Sequence, residues 1–514
     1  MTIKKLLHSS IIALTAAGLI CSGILTGANA SYVLADDNIT DSQASSINIS
    51  VEKVSDSVPY DISAGLTDGS YDTTEDVSKD DYISIESDEP MYGVYILWSS
   101  EVCDYTISYN SNNNISDNNN KNTKTIQCGK YGYLHDYIPI EEGTTSLTIK
   151  TSDDMSISDI YAYSEGTLPS SVQIWQPPCN NDTDILVFST HADDEILFLG
   201  GVLANYGGEQ KLNVQVAYMC NFFLTEPVRQ HEELDGLWEC GITHYPVKGN
   251  FVDQFALDLE TSMKQFNYDD IVTYTTECVR RFRPLVCVSQ DFNGEYGHGN
   301  HRIYAKAVSD AVNNSADADF NKESVYAYGT WDVPKTYYHL YEENTIYLDI
   351  DSPLENFNGQ SAVDVLKTAF QKHVSQLTSS FNVMKNGYAR TYWGNFDIRP
   401  FGLYRTTVGY DTENDMMEHV TYMHTEREAI KEEERSRAAK EQELANADNQ
   451  STDDNNDGTD SQAADNNNKA PDARQLIITL IAVFIIGAVI CAQAYRTRNL
   501  YKKKYDENKD DFQK

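Results

Sequence analysis

The feature that most constrains the fold is a largely apolar run that ends in a compact set of ionisable side chains. Residues 184–190 predict a buried strand, and residues 196–204 predict a helix packed on it. Between them, residues 191–195 read His-Ala-Asp-Asp-Glu. Because ligands bind at the carboxyl ends of the strands in an open parallel sheet, this turn is a candidate site. Histidine and carboxylate are also natural ligands of zinc.

The pentapeptide alone has a purely structural alternative. An Asp side chain caps a helix by accepting hydrogen bonds from the free amides of the first turn. Acidic residues at that position also suit the helix dipole. A second cluster, about a hundred residues further on, favours the metal-site interpretation.

This second cluster is again a strand followed by a loop and a helix. Residues 283–289 predict a buried strand, residues 290–302 form a Gly- and Asn-rich loop, and a helix follows from Ile303. Both clusters can therefore meet at one edge of a sheet. His298 and His301 are three residues apart at the start of the helix and could face one cavity. Zinc enzymes typically use three protein ligands and one open position.

Together the clusters resemble the PIG-L/LmbE family of zinc-dependent N-acetylglucosamine de-N-acetylases. The first family motif is His-Pro-Asp-Asp-Glu, and the second is His-x-x-His, often within Gly-Glu-Tyr-Gly-His-x-x-His-Arg, as in residues 294–302 here. Further matches are residues 229–233 and 373–376, and the resemblance spans residues 182–408. Ala192 stands where the family usually has proline, which removes no ligand.

The resemblance implies a role for each residue, with Zn2+ as the cofactor and another divalent ion as the alternative. The implied metal ligands are His191, Asp194 and His301. Asp193 would be the general base that takes a proton from the water, and His298 would stabilise the tetrahedral intermediate or protonate the amine. Tyr296 would polarise the substrate carbonyl. The structural alternatives are a helix cap at Asp193, a loop histidine at His298 and a packing role for Tyr296.

Three supporting residues have less specific signals. His231 and His373 are expected to be structural or to support the ligands rather than bind metal. Glu195 is expected to support the first helix turn or to orient a ligand.

The two ends of the chain predict an extracellular protein held at the cell membrane. Residues 1–30 combine lysines, an apolar stretch and a small-x-small cleavage site, which is typical of a signal peptide; a lipoprotein signal at Cys21 is the alternative. Residues 475–495 predict a single transmembrane helix. The basic tail, residues 496–514, would be cytoplasmic by the positive-inside rule.

Composition narrows the partners further. The formal net charge of −39 argues against nucleic acid and is typical of a soluble, self-repelling ectodomain. Seven of the nine cysteines lie outside the two terminal apolar segments, and among these Cys103 and Cys128 could form a disulfide.

The chain is expected to contain several domains. Residues 31–58 predict a mobile leader, and residues 59–168 predict an antiparallel β-sandwich that resembles galactose-binding-like domains. A short linker precedes residues 180–412, which predict an α/β domain with a Rossmann-like, largely parallel sheet. Residues 413–447 predict a charged helical stalk, and residues 448–472 predict a disordered acidic linker.

The role of the β-sandwich stays open between glycan binding and a spacer. Trp98 and the tyrosines at 131, 133 and 137 could form a platform for a sugar ring, and core packing is the alternative.

The resemblance and the predicted location together imply an extracellular, zinc-dependent deacetylase acting on an N-acetylated amino sugar in a glycan. Hydrolysis of another amide, such as a thiol conjugate, is an enzymatic alternative. The alternative from a different class is a non-catalytic surface protein that binds glycans through a deacetylase-like scaffold.

Overall fold

The computed structural model describes residues 42–110, 123–378 and 380–450, with side chains up to residue 440. The predicted signal peptide, transmembrane helix and cytoplasmic tail lie outside the described residues, as does the acidic linker beyond residue 450. No helix within the described part of the chain is long and apolar enough to cross a bilayer. The chain divides into two compact units, residues 1–432 and 433–514; of the second, residues 433–450 are described.

The described residues form three sheets and several helices. The strands are β1 Ser46–Ile47, β2 Ser50–Ser55, β3 Val58–Asp61, β4 Glu75–Val77, β5 Tyr82–Trp98, β6 Tyr105–Asn110, β7 Thr123–Cys128, β8 His135–Thr151, β9 Met155–Tyr163, β10 Ile185–Ser189, β11 Val214–Cys220, β12 Val247–Phe251, β13 Val286–Ser289, β14 Lys335–His339, β15 Thr345–Tyr347, β16 Asn382–Met384, β17 Tyr388–Thr391, β18 Gly394–Asp397 and β19 Pro400–Thr406. The α-helices are α1 Asp194–Leu197, α2 Gly200–Val202, α3 Val228–Glu239, α4 Leu259–Gln265, α5 Tyr268–Phe282, α6 Gly299–Asn314, α7 Lys322–Tyr328, α8 Ala362–Phe370 and α9 Thr421–Gln450.

Strands β1–β9 join in one antiparallel nine-stranded sheet, which we call the β region; the sequence predicted an antiparallel β-sandwich over residues 59–168. Strand order is β1-β9-β5-β8-β6-β7, with β2 on β5, β3 on β2 and β4 on β9. The long strands β5 and β8 pair along two stretches separated by register shifts between Glu86 and Gly93. The predicted mobile leader is wrong where it is described, because β1 and β2 lie within it and Val51 is fully buried. Alternating polar residues hide the apolar face of β2 in the sequence.

Most of the predicted sugar platform belongs to the core. Trp98 is fully buried and packs against Tyr105, and Tyr133 is also buried. Tyr131 is half exposed and stacks on Tyr133. The predicted linker before the α/β region is likewise packed, since Trp175 is buried there. Cys103 and Cys128 are both free thiols, so the predicted disulfide is wrong.

The α/β class is confirmed by a seven-stranded sheet of order β12-β11-β10-β13-β14-β19-β15. Strands β10–β14 pair in parallel, while β19 and β15 add an antiparallel edge. Alternate residues of β10 enter different cores: Val187 joins the cluster that holds Leu366 of α8, and Phe188 joins the one that holds Val308 of α6. Helices therefore cover both faces of the sheet, which explains why β10 and β13 are largely apolar.

The predicted stalk is corrected at its beginning. Met416 and Val420 are buried in the α/β core before α9 starts. Within α9, Arg427 donates hydrogen bonds to the carbonyl oxygens of Thr183 and Arg283. The first part of residues 413–447 is thus an integral part of the folded unit.

Candidate metal centre

The first half of the site is the turn between β10 and α1, and residues 191–195 are all buried there. Asp193 has φ of 131°, a region that residues other than glycine rarely occupy. Its backbone N–H donates to Glu195 Oε2 at 2.8 Å. Such strain persists only where the surrounding structure enforces it, and it is common at functional sites.

The second half is the loop between β13 and α6. Strand β13 pairs with β10, so the two loops emerge side by side. Gln290 ties them together, because its Oε1 accepts hydrogen bonds from the Thr190 backbone N–H at 2.8 Å and from the Thr190 hydroxyl at 2.6 Å. His301 lies in the first turn of α6 and is fully buried.

The structure brings together the three side chains predicted to be metal ligands. Asp194 Oδ2 lies 2.8 Å from His191 Nδ1 and 3.0 Å from His301 Nε2. The two histidine nitrogens are 3.3 Å apart. A tetrahedral ion with bonds of about 2.0–2.1 Å would separate its ligand atoms by roughly 3.3 Å. The nitrogen–nitrogen separation matches this value, and the two oxygen–nitrogen separations are shorter, so the three atoms converge on one point but lie closer together than ligands of a bound zinc ion.

Carboxylates behind the histidines hold these rings in place. Glu295 Oε2 lies 2.8 Å from His301 Nδ1, and Glu295 Oε1 lies 3.1 Å from His339 Nδ1. Asp253 Oδ1 lies 3.3 Å from His191 Nε2. Partners of this kind fix the orientation of a ligating imidazole and raise its basicity.

These supporting contacts were not predicted. Glu295 had one usable signal, its position within the Gly-Glu-Tyr-Gly-His motif. Asp253 and His339 stand outside both motifs and had none.

Asp193 lies next to the predicted ligands but makes different contacts. One carboxylate oxygen is 3.5 Å from Arg229 Nη2, and the same guanidinium donates to the carbonyl oxygen of Ala192. Burial, followed by the nearby charge of Asp194, raises the pKa of Asp193. A carboxylate of raised pKa held beside a metal site suits proton transfer near neutral pH.

His298 and Tyr296 line the same site. The His298 ring centroid lies 5.0 Å from that of His191 and 4.8 Å from that of His301, and these three histidines also form a possible metal-binding group. His298 Nδ1 is buried and has no hydrogen-bond partner among the described residues. Burial lowers the pKa of His298 and raises that of Tyr296, so burial favours the uncharged form of both groups.

The three supporting residues separate in space. His373 Nε2 lies 3.1 Å from Glu195 Oε1, so this pair stands directly behind the turn that carries Asp193. His231 is elsewhere: its Nδ1 lies 2.8 Å from Nε2 of His135 in the β region. His231 is therefore part of the contact between the β and α/β regions.

Comparison with known proteins gives partial matches. No known family model matches the chain. Over 196 residues it is 22% identical to a 1D-myo-inositol 2-acetamido-2-deoxy-alpha-D-glucopyranoside deacetylase from Catenulispora acidiphila. That match covers 32% of this chain and 57% of the relative, so the chain spans little more than half of the curated relative's length.

Two solved structures illustrate the structural matches. The N,N′-diacetylchitobiose deacetylase of Pyrococcus horikoshii is 16% identical, with a TM-score of 0.31, over 39% of this chain and 73% of its own. A chitosan-binding module from a chitosanase/glucanase of Paenibacillus sp. IK-5 is 14% identical, with a TM-score of 0.18, over 23% of this chain and 94% of its own.

Proposed function

We propose that this chain is a metal-dependent hydrolase that removes the acetyl group from an N-acetylated amino sugar, as in the PIG-L/LmbE family that its motifs resemble. The observation that carries the proposal is the convergence of His191 Nδ1, Asp194 Oδ2 and His301 Nε2 within 3.3 Å of one another. The partial similarity to a curated sugar deacetylase supports the same reaction.

The metal would be zinc, held by these three atoms. When bound, zinc lowers the pKa of water and polarises a carbonyl group. The remaining work belongs to the protein. Asp193, buried beside Asp194 and held by Arg229, would accept a proton from the attacking water.

Two further side chains would complete the reaction. Tyr296 keeps its hydroxyl proton, because burial raises its pKa, and could donate a hydrogen bond to the developing oxyanion. His298 has a buried ring nitrogen without a partner among the described residues, and it would stabilise the oxyanion or pass a proton to the leaving amine. An amine is a poor leaving group unless it is protonated, so the site needs an acid as well as a base.

The proposal is tested by separating metal binding from turnover. We expect the purified protein to contain zinc and to release acetate from N-acetylglucosamine oligomers. His301→Ala should lose both zinc and activity, because it removes one of three ligands. Asp193→Asn should keep zinc but lose about 10²–10⁴-fold in kcat, the usual contribution of a general base.

His244→Ala is the matched histidine control. Its ring contacts the carbonyl oxygen of Pro177, away from the metal ligands, so zinc content and activity should be unchanged. Equal activity of wild type and His301→Ala would contradict the proposal. A wild-type protein that binds glycans without releasing acetate would favour the non-catalytic alternative.

The proposed location rests on the sequence alone. We propose that residues 1–30 direct secretion and that residues 475–495 anchor the protein, with its bulk outside the cell. Truncation after residue 474 should then release active protein into the medium, whereas the full chain should fractionate with membranes. Recovery of the full chain in the soluble fraction would contradict the anchor.

A further inference from the structure

Two groups of exposed aromatic side chains flank the candidate metal centre; we call Phe255, Tyr392 and Trp393 the aromatic rim. Trp393 is 53% exposed, Tyr392 is 63% exposed and Phe255 is 60% exposed. Exposed large side chains grouped near one site are unusual on a protein surface and commonly mark a binding site. Nothing in the proposed chemistry requires any of the three.

On one side, the rim is continuous with the catalytic residues. The Trp393 ring lies flat on Tyr296, with centroids 4.4 Å apart and planes at 8°. The Tyr296 ring is in turn 5.3 Å from that of His301. Only the Tyr296 ring therefore separates Trp393 from the predicted metal ligand His301. Much of the Trp393 side chain remains exposed to solvent.

The position of Trp393 is fixed by a small rigid sheet. Tyr392 and Trp393 form the two-residue turn between β17 and β18, where Thr391 pairs with Gly394. Thr391 Oγ1 accepts from the Trp393 backbone N–H at 3.1 Å and donates to the Gly394 carbonyl oxygen at 3.3 Å. Val383 of β16 and Ala389 of β17 are buried in the hydrophobic cluster that also contains Val187. Two-residue turns prefer Gly, Asn or Asp, so two aromatic residues here point to a role outside folding.

On the other side, Phe255 packs against a catalytic histidine. Its ring centroid is 5.3 Å from that of His298. The partly exposed carboxylate of Asp253 stands two residues earlier and contacts His191. The rings of Tyr296 and His298 are 5.7 Å apart, so Trp393 and Phe255 lie at the two ends of one row of rings beside the predicted metal ligands.

We infer that the aromatic rim is a pair of sugar subsites on either side of the metal centre, and that the substrate is an oligosaccharide or polysaccharide chain rather than a free monosaccharide. This inference rests on the proposed function. A pyranose ring has an apolar face edged by hydroxyl groups, which matches an open aromatic ring beside carboxylate and hydroxyl partners. Rings on both sides of the reacting unit would hold its neighbours along the chain.

The test compares binding of N-acetylglucosamine with binding of its β-linked hexamer by isothermal titration calorimetry. It uses the full chain in the Asp193→Asn background, so that ligand is not consumed. Loss of one stacked ring should weaken binding of the hexamer about tenfold in Trp393→Ala and in Phe255→Ala, from the apolar area left uncovered. Binding of the monosaccharide should change less than twofold, since it occupies the central position alone.

Two further variants make the result specific. Trp393→Phe retains a ring and should recover most of the hexamer affinity. Tyr326→Ala removes a side chain that is 95% exposed on α7, outside the rim, and should bind both sugars like the parent. Thermal midpoints close to that of the parent would show that each variant is folded.

The outcomes separate this inference from the proposed function. Hexamer and monosaccharide affinities that fall equally, or not at all, in Trp393→Ala overturn the subsites. Deacetylation of the monosaccharide by wild-type protein that does not bind the hexamer overturns the subsites and leaves the proposed function standing. Ring-dependent binding of the hexamer, with no acetate released by wild type, overturns the proposed function and leaves the subsites standing. Absence of both binding and acetate release overturns both.

Discussion

Glu295 supports the geometry of the candidate metal centre, although it is not one of the predicted metal ligands. It is buried within the β13–α6 loop, where its two carboxylate oxygens contact different histidines, His301 and His339. These contacts lower the pKa of Glu295 despite its burial, so it stays charged. A charged, doubly held carboxylate fixes the rotation of the His301 ring.

Replacing this carboxylate should therefore weaken metal binding without removing a ligand. We expect Glu295→Gln to lower zinc affinity about 10–100-fold, as is typical when such a partner of a ligating histidine is lost. Competition with a chromogenic chelator measures this directly and requires no activity. Glu260→Gln, at an exposed ion pair with Lys264, is the matched control. Unchanged affinity in Glu295→Gln would mean that packing alone orients His301.

Sequence motifs could predict the converging residues but not their environment. His191, Asp194 and His301 were predictable because two strand–loop–helix units deliver them to one edge of the sheet. The contact of Asp253 with His191 joins segments 62 residues apart through a loop without regular structure, so no periodicity could reveal it. The positive φ of Asp193 was equally invisible, because Asp is not a residue that signals this conformation strongly.

At the scale of secondary structure, the position of helix α6 depends on one glycine. A Cβ atom at Gly299 would lie 2.2 Å from the Asp258 carbonyl oxygen and 2.6 Å from Ser262 Oγ, so α6 and α4 touch here backbone to backbone. Since His301 stands two residues later in α6, this close approach also fixes the position of a predicted metal ligand.

Gly299→Ala should therefore destabilise the protein and disturb the site together. Overpacking of this kind costs about 1–3 kcal/mol of unfolding free energy, measured from the urea midpoint. We also expect weaker zinc binding, because α6 must move. Gly65→Ala is the control, since the nearest atom to its Cβ would be 3.5 Å away and its φ is ordinary. A Gly299→Ala protein as stable as Gly65→Ala would show that α4 yields easily.

Elements with continuous apolar runs were predictable, whereas two more polar segments were assigned to the wrong class. The apolar runs of β10 and β13 predicted buried strands correctly. The segments around β2 and just before α9 are rich in polar residues, which suggested a leader and a stalk, yet Val51 of β2 and Met416 and Val420 before α9 are buried. Those few contacts come from tertiary packing, which local composition does not encode.

At the scale of the whole molecule, the β region and the α/β region share one of their hydrophobic clusters. This cluster contains both Leu134 of the β region and Tyr245 of the α/β region. A buried polar contact lies in the same interface, where His135 Nε2 is 2.8 Å from His231 Nδ1. Tyr71 stacks on His231 and donates a hydrogen bond to Asp235. The two regions should therefore unfold in one transition.

This histidine pair should make stability depend on pH. Burial lowers the pKa of His135 to about 3 and that of His231 below its usual value, so both are neutral when folded. The stability gained by keeping both histidines neutral is fully present above the unfolded histidine pKa of about 6.5. It is lost as the pH falls below that value. Asp235 opposes this, because burial raises its pKa to about 6 and it takes up a proton on folding.

A difference measurement isolates the effect of His135. Between pH 6.5 and 5.5, wild type should lose about 1 kcal/mol more unfolding free energy than His135→Asn, because that variant has no proton-binding ring at this position. Urea unfolding at pH 7.5, 6.5 and 5.5 measures both proteins. The same pH slope in both would mean that water reaches His135 in the folded state.

The pairing of β10 with β13 also has a consequence for how long the folded protein survives before it is degraded. His191 and His301 are 110 positions apart in the chain, so an ion shared by them would act as a removable cross-link closing a very long loop. The free energy of metal binding would then contribute to the stability of the fold, but only after the metal has bound. The supply of metal would then set the rate of proteolysis. Protein without zinc would be degraded rather than persist in a folded, inactive form.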